Sequence, residues 1–170
     1  MAAFTVIDHT ELSGNATSYT VSSISASYDH LYLVASARSD TSVYIDFCQF
    51  EFNTDTTGSN YSTTWLDAST STPVSNRATT YAHGGFVSGA AQAANMFGAT
   101  TLWIPNYANT TGFKQSILSS EVTGTTTNDQ WITMIGANLW HSTAAITAIK
   151  WFPSGGDNFV QYSTFTLYGV

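Results

Sequence analysis

Apolar and polar residues alternate with a period of two along most of this chain, the pattern of strands with one buried face. Phe4–Asp8 opens the series, and Gly14-Asn15 ends the turn that follows. Ser18–Ile24 alternates Tyr19, Val21 and Ser23 with polar neighbours. Leu31–Ala37 sets Leu31, Leu33, Ala35 and Ala37 on one face and Tyr32 and Val34 on the other. A strand apolar on both faces is expected to be central and covered twice. In Val43–Asn53 the phase of Val43, Ile45 and Phe47 gives way to that of Phe50 and Phe52. That reversal predicts a bulge or bend near Cys48-Gln49.

Further strands are predicted over Asn60–Leu66, Thr100–Ile104, Phe113–Leu118, Gln130–Leu139, Ile146–Phe152 and Phe159–Tyr168. Gly84–Ala94 reads as a weak strand with a flexible connection, and Ala68–Thr80 as a polar loop around Pro73. Ala90–Phe97 is the one stretch with helical propensity, enough for a single turn. Strands never alternate with long helices, which excludes parallel βαβ architecture. The expected fold is all-β: a single domain over residues 1–170, built as an antiparallel two-sheet β-sandwich of the jelly-roll type with nine or ten strands.

Composition narrows the function. Of 170 residues 9% are charged and 14% are aromatic, too few charges and too many rings for a disordered chain. Lys114, Lys150, Arg38 and Arg77 are the only lysines and arginines, against 11 acidic residues, for a net charge of -7. Nucleic-acid binding needs a basic surface that four cations do not build, and the same shortage excludes a polybasic membrane anchor. No run of apolar residues is long enough to span a bilayer as a helix. The N-terminus lacks the basic and apolar regions of a secretory signal, so synthesis and folding in a cytosol are expected. The single cysteine, Cys48, lies between Phe47 and Phe50 and is expected to be a buried thiol.

Candidate chemistry is sparse. Glycoside hydrolysis needs two facing carboxyl groups, and Glu51 with Asp46 is the pair the strand pattern offers. His9, His30, His83 and His141 have no metal-binding spacing. His30 fits a hydrogen-bonding role at a strand entry. There is no nucleophile elbow and no phosphate loop. Asp40-Thr41-Ser42 and Asn53-Thr54-Asp55 are better read as turns than as calcium ligands. The chain is therefore expected to be no enzyme, with no catalytic, cofactor-binding or metal site and no cofactor. Aromatics remain. Tyr61, Trp65, Tyr107 and Trp140 lie in or near loop-like stretches, where exposed rings stack on sugars or anchor protein contacts. Met1 and Phe4, in the terminal segment, are candidates to reach a neighbouring protein.

Several short motifs carry a resemblance. They are Tyr28-Asp29-His30 at a strand entry, Arg38-Ser39-Asp40 at a turn, and Phe52-Asn53 followed by Asn60-Tyr61-Ser62 in a hairpin. Leu167-Tyr168-Gly169 closes the chain. In these the sequence resembles small virion proteins of tailed bacteriophages, including cyanophages, at both ends but little over residues 68–130. The resemblance implies a β-sandwich module on the outer capsid surface, made in the host cytoplasm. It implies a decoration (cement) protein, a homotrimer whose partner is the major capsid protein, with no nucleic acid and no membrane bound. The alternative it leaves open is a tail-fibre or receptor-binding module that recognises carbohydrate.

Overall fold

The computed structural model describes residues 3–69, 72–124 and 130–170. Met1 lies outside them. Among the described residues twelve strands form two antiparallel sheets, where the sequence pattern predicts nine or ten. They are β1 (Thr5–Glu11), β2 (Tyr19–Val21), β3 (His30–Ala37), β4 (Ile45–Phe52), β5 (Tyr61–Ala68), β6 (Val74–Ala78), β7 (Ala82–Ser88), β8 (Gly98–Pro105), β9 (Lys114–Val122), β10 (Ile132–Trp140), β11 (Ile149–Pro153) and β12 (Thr164–Gly169). The large sheet runs β1-β12-β3-β8-β9-β10-β5-β6, and the small sheet β2-β11-β4-β7.

The pairings nest. β1 pairs with β12, β2 with β11, β3 with β8 and β4 with β7, while β12 joins β3 and β11 joins β4. This is one long antiparallel ribbon rolled over itself, the jelly roll expected from sequence. Two hairpin pairs are added to it. β5-β6 follows the fourth strand of the roll and β9-β10 the sixth, and all four extend the large sheet beyond β8. β6 falls in the stretch expected to be a polar loop. As the edge strand of the large sheet it needs little apolar surface.

The core lies between the sheets. Leu31, Leu33, Ala35 and Ala37 of β3 face Phe50 and Phe52 of β4 and Ile149 and Trp151 of β11. Trp151 packs on Phe159 and Phe165 with ring centroids 5.0 and 5.4 Å apart, and Tyr19 stacks on Phe165 at 4.7 Å. Each such buried side chain is worth about 1.5–3 kcal/mol of transfer free energy. Cys48 is buried, as expected, and its surroundings push the thiol pKa well up.

The bulge expected near Cys48-Gln49 exists, but the extra residue is on the partner strand. Cys48 pairs with Gly85 and Gln49 with His83, so Gly84 is the unpaired residue. β4 itself keeps one phase, with Asp46, Cys48, Phe50 and Phe52 all inward. Gly84 is required by close approach: a Cβ there would sit 2.3 Å from Trp151 Nε1 and 2.9 Å from the carbonyl carbon of Cys48. The helical turn considered for residues 90–97 is absent. Irregular turns occupy the segment, and the Arg38 guanidinium donates to the carbonyls of Ala90, Gln92, Ala93 and Met96 at 2.8–3.2 Å.

The short motifs turn out to be tertiary joints. The Tyr28 ring lies on Gly169, where a Cβ would be 2.3 Å from Tyr28 Cγ, and the Asp29 and His30 amides both donate to Val170 O. Asp40 accepts from the Asn158 amide at 2.7 Å and from its side chain at 2.8 Å. Asn53, at φ 53°, accepts from the Thr147 and Ala148 amides and donates to Ala145 O. Each motif therefore binds a segment distant in sequence.

Candidate functional site

The structure does not gather the aromatic candidates into one site. Tyr107 is fully buried, and its hydroxyl donates to Ser25 O. Tyr61 is buried between the sheets. Its hydroxyl accepts from the Phe52 amide at 3.0 Å and donates to Asp55 O at 2.9 Å. Trp140 is buried beside it, its indole N–H on Asp55 Oδ2 at 2.8 Å. These three rings are therefore core, not exposed loop platforms. Their polar handles find partners inside the fold, which is what makes their burial tolerable. Trp65 is half-buried against His83, and Phe4 is exposed on the far side of the molecule.

What the structure does assemble is the outer face of the large sheet. β3 is central, as expected, but only one of its faces is covered. Tyr32 and Val34 lie on the side away from the small sheet. Cross-strand register runs one lateral row from Val6 through Tyr168, Tyr32, Trp103 and Ile117 to Ala137. Six strands at about 4.8 Å spacing make this row roughly 24 Å long. A second row carries Thr166, Val34, Thr101, Ser119, Ile135 and Leu66.

Phe4 stands edge-on to both Tyr32 and Tyr168, with centroids 5.7 Å apart in each case. Tyr32 continues to Trp103 at 5.9 Å, and Trp103 to His30 at 5.1 Å. Phe4 is 58% exposed, Ile117 56% and Ile135 57%. The two rows from β12 to β5 contain no charged residue. Acidic side chains enter only in a third row, at Glu11 and Glu121. Open apolar surface of this extent marks interaction sites on soluble proteins. The signal in sequence was the second apolar phase of Leu31–Ala37.

The inner face of the β9-β10 extension does different work. β7 is the edge of the small sheet, and side chains from the large sheet take the place of a further strand beside it. Asn138 Oδ1 accepts from the His83 amide at 2.8 Å while its Nδ2 donates to His83 O at 3.3 Å. Ser120 Oγ accepts from the Phe86 amide at 2.8 Å and donates to Phe86 O at 3.0 Å. The edge that would invite aggregation is thereby satisfied.

His83 is buried at this seam. Its Nδ1 accepts from the Gly85 amide at 2.9 Å, so the neutral ring carries its proton on Nε2, which has no hydrogen-bond partner. The rings of Phe47, Trp65 and Phe86 stand 4.4, 4.9 and 5.0 Å away at 86, 66 and 71°. An aromatic cage thus surrounds the imidazole, with no oxygen on its Nε2. Burial pushes the His83 pKa down to about 3.

A histidine depressed in the fold contributes stability that is complete above its unfolded pKa near 6.5 and is lost as pH falls toward 3. Lowering the pH from 7 to 5 is therefore expected to remove about 2 kcal/mol through this group. Asp46, raised by burial, opposes the trend. Urea unfolding at the two pH values measures the loss, and His83→Gln should flatten it. An unchanged slope in that variant would refute the assignment.

The carboxylates occupy structural positions. Asp46 and Glu51, the pair considered for hydrolysis, lie on opposite faces of β4. Glu51 meets Lys150 at 3.5 Å, an exposed pair worth at most about 1 kcal/mol. Asp8 accepts from the Tyr19 hydroxyl at 2.9 Å, and Asp67 from the Trp65 indole and the Asn76 amide, each at 2.8 Å. Among the described residues no three metal-ligating side chains converge. His30 takes the strand-entry role expected of it, accepting from the Asn106 amide at 3.2 Å. No family model, curated protein or solved structure matches the chain.

Proposed function

We propose that this chain is a non-enzymatic structural protein of a phage virion, a capsid decoration protein. In this reading a homotrimer seats the open face of the large sheet against neighbouring protomers and the major capsid protein. The observation that supports it is the uncharged apolar row from Val6 to Ala137, a surface suited to exclude water over a broad flat contact. The resemblance of its short motifs to those of small virion proteins supplies the setting. Contacts present only on the mature shell would stabilise it by mass action, as any ligand of one state does.

Phe4→Asp and Ile117→Lys test the reading. Both positions are more than half exposed, so each substitution should change stability by no more than about 0.5 kcal/mol. The unaltered protein is expected to sediment as a trimer and to bind shells that lack it. The two variants should fold, stay monomeric and fail to bind. A wild-type chain that is monomeric and never co-sediments with such shells would overturn the proposal.

A second reading, a tail-associated module that recognises carbohydrate, draws on a groove between Pro105 and Gln115. The buried rings of Tyr61, Tyr107 and Trp140 give it no support.

A further inference from the structure

The loop from β8 to β9 encloses a groove of about 370 Å³ whose walls include Pro105, Asn106, Asn109, Phe113 and Gln115. That volume is in the range of small-ligand sites, roughly 300–1,000 Å³. The Phe113 ring is 58% exposed and is braced by His141, 5.4 Å away. The loop is held in shape from within. Asn109 Oδ1 accepts from the Thr111 amide at 2.8 Å, the Thr111 hydroxyl at 2.9 Å and the Gly112 amide at 2.9 Å. The buried Lys114 ammonium fastens its end, donating to Gly112 O at 2.8 Å and Thr143 O at 3.3 Å.

These ties leave other groups open. The Asn109 amide nitrogen and the side-chain amides of Asn106 and Gln115 carry no hydrogen bond to the described residues. The groove thus sets one exposed aromatic face among three amides on a preorganised loop.

We propose that this groove binds a neutral sugar, one pyranose ring lying on Phe113 with its hydroxyls on the amides of Asn106, Asn109 and Gln115. A pyranose has an apolar C–H face and a rim of hydroxyls that both donate and accept, which matches a ring flanked by amides. A purely apolar ligand would leave the amides unpaired on desolvation. Lys114 also lines the groove, but its ammonium is engaged by the carbonyls of Gly112 and Thr143, and an anionic ligand would meet the field of a chain with net charge -7. The ordered loop lowers the entropy lost on binding. The inference deepens the carbohydrate reading and is independent of the capsid one, because the groove lies at one end of the sheet face and needs no assembly.

Saturation-transfer NMR with methyl β-glucoside, methyl β-galactoside and N-acetylglucosamine, each added to the full chain, tests it. At least one probe is expected to bind saturably with a Kd of about 1–10 mM, as suits a single ring. Phe113→Ala should weaken that binding about tenfold or more, and Gln115→Ala several-fold, with unchanged thermal melting. Ile135→Ser, elsewhere on the same sheet face, should bind like the wild type. If no probe saturates by about 50 mM, or if Phe113→Ala binds as well as the wild type, the groove is not a sugar site. The trimer and shell-binding measurements above are unaffected by that result, so the two failures are distinguishable.

Discussion

Arg38→Ala is expected to lower stability by about 3 kcal/mol and to release residues 90–96 from the rest of the sandwich. The guanidinium holds four carbonyls, of Ala90, Gln92, Ala93 and Met96, and without it they have no common donor. A hydrogen bond to a charged group is worth about 1.5–3 kcal/mol, and partial solvent access keeps four of them from adding up. Hydrogen exchange should show the effect first at residues 90–96, before global unfolding. Arg38→Lys should restore little, because one ammonium cannot reach carbonyls spread around a planar fork. A loss below about 1 kcal/mol, with exchange in the loop unchanged, would mean that the segment is held by its own turns.

Gly84→Ala is expected to cost as much or more, about 3–4 kcal/mol, although it adds one methyl group. The methyl would occupy the place of the Trp151 indole nitrogen, which now donates to Gly84 O at 2.8 Å inside the core. Trp151 cannot swing away, since Phe159 and Phe165 pack against it. The backbone of Cys48 blocks retreat on the other side. Overpacking contributes about 1–3 kcal/mol, and a buried indole N–H left without an acceptor a comparable amount. Trp151→Phe alone should destabilise, yet in the Gly84→Ala background it should do so far less, because it removes the colliding atom. Additive losses in the double-mutant cycle would rule out this collision as the cause.

Much of the sandwich was legible from alternation alone, because period two reports directly which side chains face a core. β3, β8, β9 and β10 fall close to the stretches where the pattern put them. Two departures share a cause, the local backbone. Tyr162 at φ 70° ends the run read as a strand from Phe159, so β12 begins at Thr164, and Ser23 at φ 58° limits β2 to Tyr19–Val21. β7 alternates poorly because it is buried on both sides, which favours Ala82, Gly84 and Gly85 over larger residues.

The candidate surface was harder to see. Polar surroundings made Tyr61 and Tyr107 look like loop residues, whereas their buried hydroxyls satisfy backbone groups, that of Phe52 for Tyr61 and that of distant Ser25 for Tyr107. Conversely, Tyr32 and Val34 read as a covered face, since an apolar side chain in a strand does not announce whether its face is covered. Only the pairing of five strands shows that Val6, Tyr168, Tyr32, Trp103 and Ile117 stand in line. Phe113 reads in sequence as the start of a strand, and nothing there marks its ring as the wall of a groove.

The nested pairing also orders events during synthesis. β12, made after the other described strands, sits between β1 and β3, two of the first three made. Until it emerges, the large sheet has a gap between β1 and β3, with one β3 edge unpaired and Leu33 and Ala35 lacking their neighbours Leu167 and Phe165. Such a sandwich closes only once β12 has been made rather than segment by segment, and slowly, because its decisive contacts join strands far apart in sequence. Waiting nascent chains are exposed to misassembly in proportion to their crowding on a message. Expression yield should therefore respond to slower initiation more than to slower elongation.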